Sequence, residues 1–317
     1  MSAVARLTVR LVVVALAVSF ASFSLLSAAP GDPAAAKAGF SATPERVAEI
    51  RSELGLDDPF LVRYGDWLAG VVQGNFGTSV LNQQPASKLI GDAMPHTVEL
   101  MILAQIIALG VAIPAGVYSA QRPNGWFDRL AGAVSFGMLA TPPFVLGIYL
   151  AFVFAVRLDW LPAVATDLPG LLEDPVENLR QMILPALTLA SGMVAIYVRL
   201  LRTDLIETLQ QDFVLMAQSR GYSRRRVLWR HAFRPSAFSL LTAAGLTTAG
   251  LLGGALIAET LFAVPGVGRL AVTAIFTEDY DVVMGVVLLL SVAFVVTNFV
   301  VDALYTVLDP RVRHGSR

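Results

Sequence analysis

The 317-residue chain contains no cysteine, which excludes disulfides, cysteine nucleophiles and thiolate metal sites. Charge is scarce too: 15% of its residues are Asp, Glu, Lys or Arg, against about 25% in an average soluble domain. Lysine occurs only as Lys37 and Lys88, preceded by Ala36 and Ser87. A nucleotide-binding loop needs Gly-Lys-Ser/Thr to hold phosphates and Mg²⁺, so the chain is not expected to hydrolyse ATP itself. There is no His-Glu-x-x-His pair and no Gly-x-Ser-x-Gly elbow, which argues against metalloprotease and hydrolase chemistry. The three histidines, His96, His231 and His314, stand at the edges of apolar stretches or in polar connections. Surface or interfacial roles suit them better than catalysis or metal ligation.

What is present is apolar surface. Hydrophobic residues make up 56% of the chain, and its mean hydropathy is +0.66. A soluble core of this length cannot enclose that much apolar area. A bilayer core about 30 Å thick is crossed by roughly 20 helical residues. Charge-free windows of about that size run over 11–31, 100–121, 130–156, 181–198, 235–258 and 282–301, predicting an all-α membrane protein with six spans. The division expected is a first helix over 1–29, an outer lobe over 30–95 and a five-helix core over 96–317. Fifteen of the 23 basic residues fall in the segments that an inside N-terminus makes cytoplasmic, so both termini are predicted inside. The first window has a rival reading: Arg6 and Arg10, an apolar run and Ser27-Ala28-Ala29 also resemble a cleaved signal peptide. The length of the uncharged run favours a retained helix.

Segment 30–95 is too long for a passive connector. Thr43-Pro44 predicts a capped helix start and Gly55 its stop. Leu61, Tyr64, Leu68 and Val71 repeat at helical spacing, predicting an amphipathic lid on the membrane face. Gly74-Asn75-Phe76-Gly77-Thr78-Ser79 has the glycines of a phosphate cradle but no following lysine, so it reads as a turn.

Segment 203–235 is the most informative part of the chain: with Arg199 and Arg202 just before it, it carries a run of eight arginines from Arg199 to Arg234. Leu205, Leu209, Phe213 and Met216 fit one helical face, and Gly221 is placed to end that helix. Ser223 can cap a second helix starting with Arg224, Arg225 and Arg226, and Pro235 opens the fifth span. Positive-inside retention explains much of the charge, but not the glycine elbow or the apolar face, which suggest a docked protein partner. The spans themselves hold no ionisable group, which disfavours an ion-driven carrier. Glu99 and Glu259 flank the second and fifth spans, as fixed helix-end groups or as the lining of a pathway. Thr141-Pro142-Pro143 lies mid-window, where freed carbonyls need partners; a fixed kink and a pathway-lining hinge both fit. Gly250 and Gly254, with Ala249 and Gly253, form a small-xxx-small stripe suited to close helix packing or a sliding gate.

The run Asp212-Phe213-Val214-Leu215-Met216-Ala217-Gln218-Ser219-Arg220-Gly221, followed by Arg225-Arg226-Val227 and Arg230-His231-Ala232, resembles the cytoplasmic EAA loop of ABC importer permeases. It is most similar to the dipeptide/oligopeptide/nickel family. Pro30-Gly31-Asp32-Pro33, Leu54-Gly55-Leu56-Asp57, Gly74 to Ser79, Leu158 to Pro162, Pro265 to Leu270 and Leu308-Asp309-Pro310-Arg311 agree in order along nearly the whole chain. The resemblance implies a coupling helix region at 212–231 seated in a groove of an ATPase subunit. Asp212, Phe213, Val214, Ala217, Ser219, Arg220, Gly221, Arg225, Arg230 and His231 are its implied contact positions. Two departures stand out: Leu215-Met216-Ala217 replaces Glu-Ala-Ala, and Phe233-Arg234-Pro235 replaces the Leu-Pro ending. The resemblance further implies a second related permease, two ATPase subunits carrying ATP and Mg²⁺, and an extracytoplasmic substrate-binding protein. It places the chain in a prokaryotic cell membrane as the first permease of the pair, with no cofactor, metal or nucleic acid of its own. Peptides are the implied cargo, with nickel chelates, glutathione and oligosaccharides as alternatives. A secondary carrier and a membrane scaffold are the competing classes.

Overall fold

The structure, a computed structural model, describes residues 3–28, 32–39, 42–53 and 55–308. The expectations for Pro30-Gly31, Leu54, Asp309-Pro310-Arg311, Arg313, His314 and Arg317 lie outside the described residues, as do those for the side chains of Arg6, Arg10 and Ala249. Thirteen helices are described: α1 Ala3–Ala28, α2 Pro33–Ala38, α3 Pro44–Glu53, α4 Phe60–Val72, α5 Ala86–Gln121, α6 Trp126–Ala140 and α7 Pro143–Ala151. They continue with α8 Pro175–Leu209, α9 Asp212–Ser219, α10 Arg224–Arg226, α11 Phe233–Leu261, α12 Val267–Phe276 and α13 Tyr280–Leu308. π-Helical turns follow α7 (Phe152–Arg157) and α10 (Val227–Ala232). Among the described residues the only β-type pairing is an isolated bridge between Thr78 and Pro85.

Among the described residues, α5, α8 and the Tyr280–Val301 part of α13 are each long and apolar enough to cross a membrane. Counting two bent pairs, Trp126–Ala140 with Pro143–Arg157 and Arg224–Thr248 with Gly250–Leu261, as one span each gives five. The first window falls on α1, whose described apolar stretch is the shorter Leu11–Leu25.

The chain divides into two compact units. One comprises residues 1–97 and 265–299. Here Phe20 and Phe23 of α1 pack edge-on against Phe60 and Tyr64 of α4, with centroids 5.3–5.7 Å apart. Ser19 and Tyr64 share a 2.9 Å hydrogen bond. The packed face of α4 is therefore Phe60, Tyr64 and Trp67. Leu61, expected on that face, is 70% exposed, because the aromatic rings on α1 select the aromatic side of α4. Helix α3 starts as expected: Thr43 Oγ1 accepts the Arg46 N–H at 3.4 Å, and Gly55 stands at φ 59°. Asp32 caps α2 through the Ala34 N–H (3.0 Å) and takes a 2.7 Å bond from Arg51 of α3. Burial is the largest influence on this carboxyl and pushes it up, yet the Arg51 hydrogen bond, the Ala34 and Ala35 N–H groups and the Arg51 charge hold it below its ordinary value.

The Gly74–Ser79 segment is a turn, as its sequence implies, and it clasps the start of α13. The Thr78 N–H donates to Asp281 (3.1 Å), while the Ser79 hydroxyl (2.5 Å) and the Val80 N–H (3.1 Å) donate to Asp279. A Cβ on Gly77 would stand 2.3 Å from the Asp281 carboxyl carbon, so only glycine admits this approach. Ile90 and Ala93 of α5, Val267, Ala271 and Ala274 of α12, and Val282 and Val286 of α13 form the core beneath. The Thr97 hydroxyl accepts the Val267 N–H at 2.8 Å.

The other unit comprises residues 98–264 and 300–317. Helix α8 is its axis, with buried residues recurring from Asn178 to Leu205. Against it α5 presents Ala104, Ala108 and Ala112, all fully buried, and Gly116, whose missing Cβ leaves Leu201 atoms 3.2 Å from where it would stand. Lipid is as apolar as leucine, so close contact between small residues, rather than escape from water, holds such helices together. Tyr197, fully buried, ties three helices: Gln105 of α5 donates to its hydroxyl (3.1 Å), and that hydroxyl also bonds Thr247 of α11.

Candidate docking site

The helix expected to run through Leu205, Leu209, Phe213 and Met216 is two helices. Helix α8 stops at Leu209, Gln211 turns extended (φ −72°, ψ 147°), and α9 restarts with Asp212 in its first turn. A carboxylate there complements the exposed N–H groups of a helix start, so a new helix is favoured over a continued one. The break rotates the face: Leu205 belongs to the α5–α8–α11 core, whereas Val214 and Ala217 are the buried positions of α9. They pack with Val227 and Leu209 in a small separate core.

The end of α9 is closed by backbone bonds. The Gly221 N–H donates to Gln218 O (2.9 Å) and the Tyr222 N–H to Ala217 O (3.4 Å), the pairing of a Schellman cap with glycine at the left-handed position, φ 79°. Ser223 Oγ then accepts the Arg226 N–H at 3.4 Å, capping α10. The helical path continues through the π turn into α11, so Pro235 sits in the first turn of α11 rather than opening it. The wider π turn precedes a residue that has no N–H to give, which is how a helix accommodates proline there. Tyr222 stacks on His231, centroids 5.5 Å apart at 14°, with the Arg226 guanidinium 4.6 Å from the Tyr222 centroid.

The expected contact positions therefore have two roles. Val214 and Ala217 face inward and fix α9 on the elbow. Asp212, Phe213, Ser219, Arg220, Gly221, Arg225 and Arg230 lie on the exposed surface, with His231 half-buried under Tyr222. Phe213, Leu215, Met216, Tyr222 and Trp229 are 37–54% exposed, an apolar surface among arginines. Tyr222 and Trp229 were not singled out by spacing; the signal was two aromatics within a run of arginines. A cavity of about 790 Å³ opens beside them, lined by Arg122, Gln218, Tyr222, Arg224, Arg225 and Trp229 among others.

The pathway candidates lie elsewhere in the same unit. Thr141 is extended and α6 and α7 meet at 107°, far sharper than the kink that two prolines suggest. The Thr141 hydroxyl donates to Gly137 O (2.8 Å), occupying a carbonyl at the end of α6. Pro142 and Pro143 are exposed at the corner, and Gly147 beyond them packs closely, its would-be Cβ 2.7 Å from Leu261 and 2.9 Å from Thr188. A Cβ on Gly254 would stand 2.8 Å from Leu189 of α8, but Gly250 has open space where a Cβ would stand. The two glycines thus do not form one packed stripe. Glu259 is fully buried near the end of α11 and Glu99 half-buried on α5.

One buried ion pair had no local signature. Asp128, at the start of α6 and 6% exposed, receives both Nε (2.5 Å) and a terminal nitrogen (2.8 Å) of Arg202 on α8, plus the Asn124 N–H (2.8 Å). The partners stand 74 positions apart, beyond the reach of any spacing rule.

Residues 112–314 match the family described as the binding-protein-dependent transport system inner membrane component. Residues 1–101 match the N-terminal part described for such membrane components. A putative peptide transport system permease protein of Brucella abortus is 41% identical over 303 residues, 95% of each chain. A probable peptide ABC transporter permease protein of Sinorhizobium fredii is 37% identical, covering 92% of this chain and 93% of its own. A chain from the MetNI methionine ABC transporter, solved in inward-facing conformations, superposes with a TM-score of 0.56 over 70% of this chain and 96% of its own, at 16% identity. That likeness is one of fold. The all-helical architecture, the apolar spans and the two matched segments together make this chain a member of the family of binding-protein-dependent transport system inner membrane components.

Proposed function

We propose that the chain is the permease subunit of an ATP-driven ABC importer for peptides. In this reading six spans cross a prokaryotic cell membrane with both termini inside. The lobe between α1 and α5 lies outside, and the elbow at 203–235 lies inside. The pathway forms with a second, related permease, and an extracytoplasmic binding protein delivers the solute. Two ATPase subunits supply ATP and Mg²⁺; this chain holds neither.

The observation that carries the proposal is the elbow's surface: Phe213, Leu215, Met216, Tyr222 and Trp229 exposed together on a element fixed from behind by Val214, Ala217 and Val227. Exposed aromatics and methionine framed by arginine are the chemistry of a protein contact, and headgroups alone would require only the charge. The peptide cargo rests on the names of the relatives in Brucella and Sinorhizobium.

The test is reconstitution of the assembly in vesicles, with uptake measured with and without internal ATP. Uptake is expected only with ATP, and uptake driven by an ion gradient alone would overturn the proposal in favour of a carrier. Cargo is read separately, from thermal stabilisation of the binding protein by di- and oligopeptides, glutathione, nickel chelates and oligosaccharides. Stabilisation by non-peptides only would overturn the peptide assignment and leave the importer reading intact.

A further inference from the structure

Beside the Asp128–Arg202 pair lies a cavity of about 430 Å³ that the transport reading does not use. Its polar wall carries Arg129, Arg199 and Arg202, with Asn124 at its rim. Asp128 engages Nε and one terminal nitrogen of Arg202 and neutralises that charge, leaving Arg129 and Arg199 as an uncompensated pair on the wall. Ser119, also lining the cavity, is 1% exposed and its hydroxyl has no hydrogen-bond partner within the protein. A buried hydroxyl without a partner is costly, so it marks a place where a ligand's acceptor fits. The rest of the lining is apolar: Ala131, Gly132, Phe136 and Val198.

We propose that this cavity binds the phosphate of an anionic phospholipid headgroup. Arginine is the side chain suited to phosphate, being always charged and presenting several donors in a planar fork. The residues flanking the site select the lipid over a free anion. Trp126, at the start of α6, is 71% exposed. Tyr118 and Phe127 pack edge-on beside it, 4.7 Å apart, and Arg122 lies 5.9 Å from the Tyr118 ring. Exposed tryptophan and tyrosine at a helix end mark the level of the headgroups. More than two turns further along α6, Val134 and Phe136 are exposed and apolar, Phe136 to 70%, where acyl chains lie against a spanning helix. Along α6 the lining thus passes from Arg129 near the aromatic headgroup level to Phe136 at chain level, the gradient of a phospholipid. Basic pockets between spanning helices are the usual place for such headgroups.

The experiment uses the purified full-length protein in non-ionic detergent, titrated with phosphatidylglycerol, phosphatidylcholine or inorganic phosphate while its thermal midpoint is followed. Phosphatidylglycerol is expected to raise the midpoint saturably, and the other two are not. The double variant Arg129→Gln/Arg199→Gln should need about tenfold or more phosphatidylglycerol for the same rise. Arg180→Gln, a charge removed from the far end of α8, should titrate as the unmodified protein does. An equal rise with inorganic phosphate would overturn the lipid assignment, and an unchanged phosphatidylglycerol curve in the double variant would overturn the site. Should the double variant not fold, the single variants Arg129→Gln and Arg199→Gln carry the test. Neither touches the Asp128–Arg202 pair, each should weaken the response several-fold, and no weakening in either overturns the proposal.

Discussion

Gly221 shows how a single position can be structural by conformation alone. No atom lies within 4 Å of where its Cβ would stand, yet its φ of 79° is one that L side chains rarely adopt. Gly221→Val is therefore expected to cost about 1–2 kcal/mol or more by strain rather than by collision. ATP-driven uptake should fall while membrane insertion is unchanged. Gly221→Asn should retain most uptake, since asparagine tolerates the left-handed region; equal loss in both would show that the side chain, not the turn, matters. Asp128 argues differently. Asp128→Asn leaves the Arg202 guanidinium without its carboxylate, a loss of about 3 kcal/mol, toward the lower end for a broken buried pair because Arg202 keeps 31% of its side-chain surface. A thermal midpoint measured in detergent should drop accordingly. Asp32 sets a pH response: its folded carboxyl titrates below its ordinary value, so its contribution is complete above that value and lost as pH falls through the lowered one. Asp32→Asn at neutral pH should speed amide exchange across α2 and the start of α3, and exchange that stays slow would show the cap and the Arg51 bond to be dispensable.

At the scale of elements, local signals were read well where the chain itself supplies the partner. The cap at Thr43, the stops at Gly55 and Gly221 and the cap at Ser223 each use atoms within a few residues, so their residue types announce them. The α8–α9 break was not legible, because the hydrophobic spacing of Leu205 to Met216 is compatible with one straight helix. Asp212 favours a restart there, and packing completes the break by drawing Leu205 into one core and Val214 into another. The Pro142–Pro143 corner was legible as a break but not as a 107° turn, because the close approach of Gly147 to Leu261 and Thr188 beyond it joins segments that no local spacing connects. Pro142→Leu/Pro143→Leu is expected to lengthen the distance between spin labels at Phe136→Cys and Ile148→Cys, both exposed sites in a chain with no native cysteine. An unchanged distance would assign the corner to Gly147 packing alone. At the elbow, Val214→Ala should cost about 1–3 kcal/mol of local stability. Proteolysis there should quicken more than for Phe213→Ala, whose loss is expected to fall on ATPase-coupled uptake instead.

For the whole molecule, composition was enough for class: a chain with 56% hydrophobic residues and charge-free windows of span length belongs in a bilayer. The contacts that join distant segments were not legible. Ser79 with Asp279, Asp128 with Arg202 and Tyr197 with Thr247 link positions 200, 74 and 50 apart, and nothing in a linear pattern marks them. Those are also the contacts that make rigid bodies out of helices. Helix α8 gains most from this, and its length has a mechanical consequence. Its 35 residues, with Pro185 inside, extend over roughly 52 Å, well over the bilayer's apolar thickness of about 30 Å. Only Gln210 and Gln211 separate its end from α9. Gly192 lies at its midpoint, with open space where a side chain would be. Tilted as a unit, a helix of this length is a lever by geometry alone: a displacement of about 5 Å at the elbow corresponds to a tilt of roughly ten degrees about the middle, and an equal and opposite sweep at the far end.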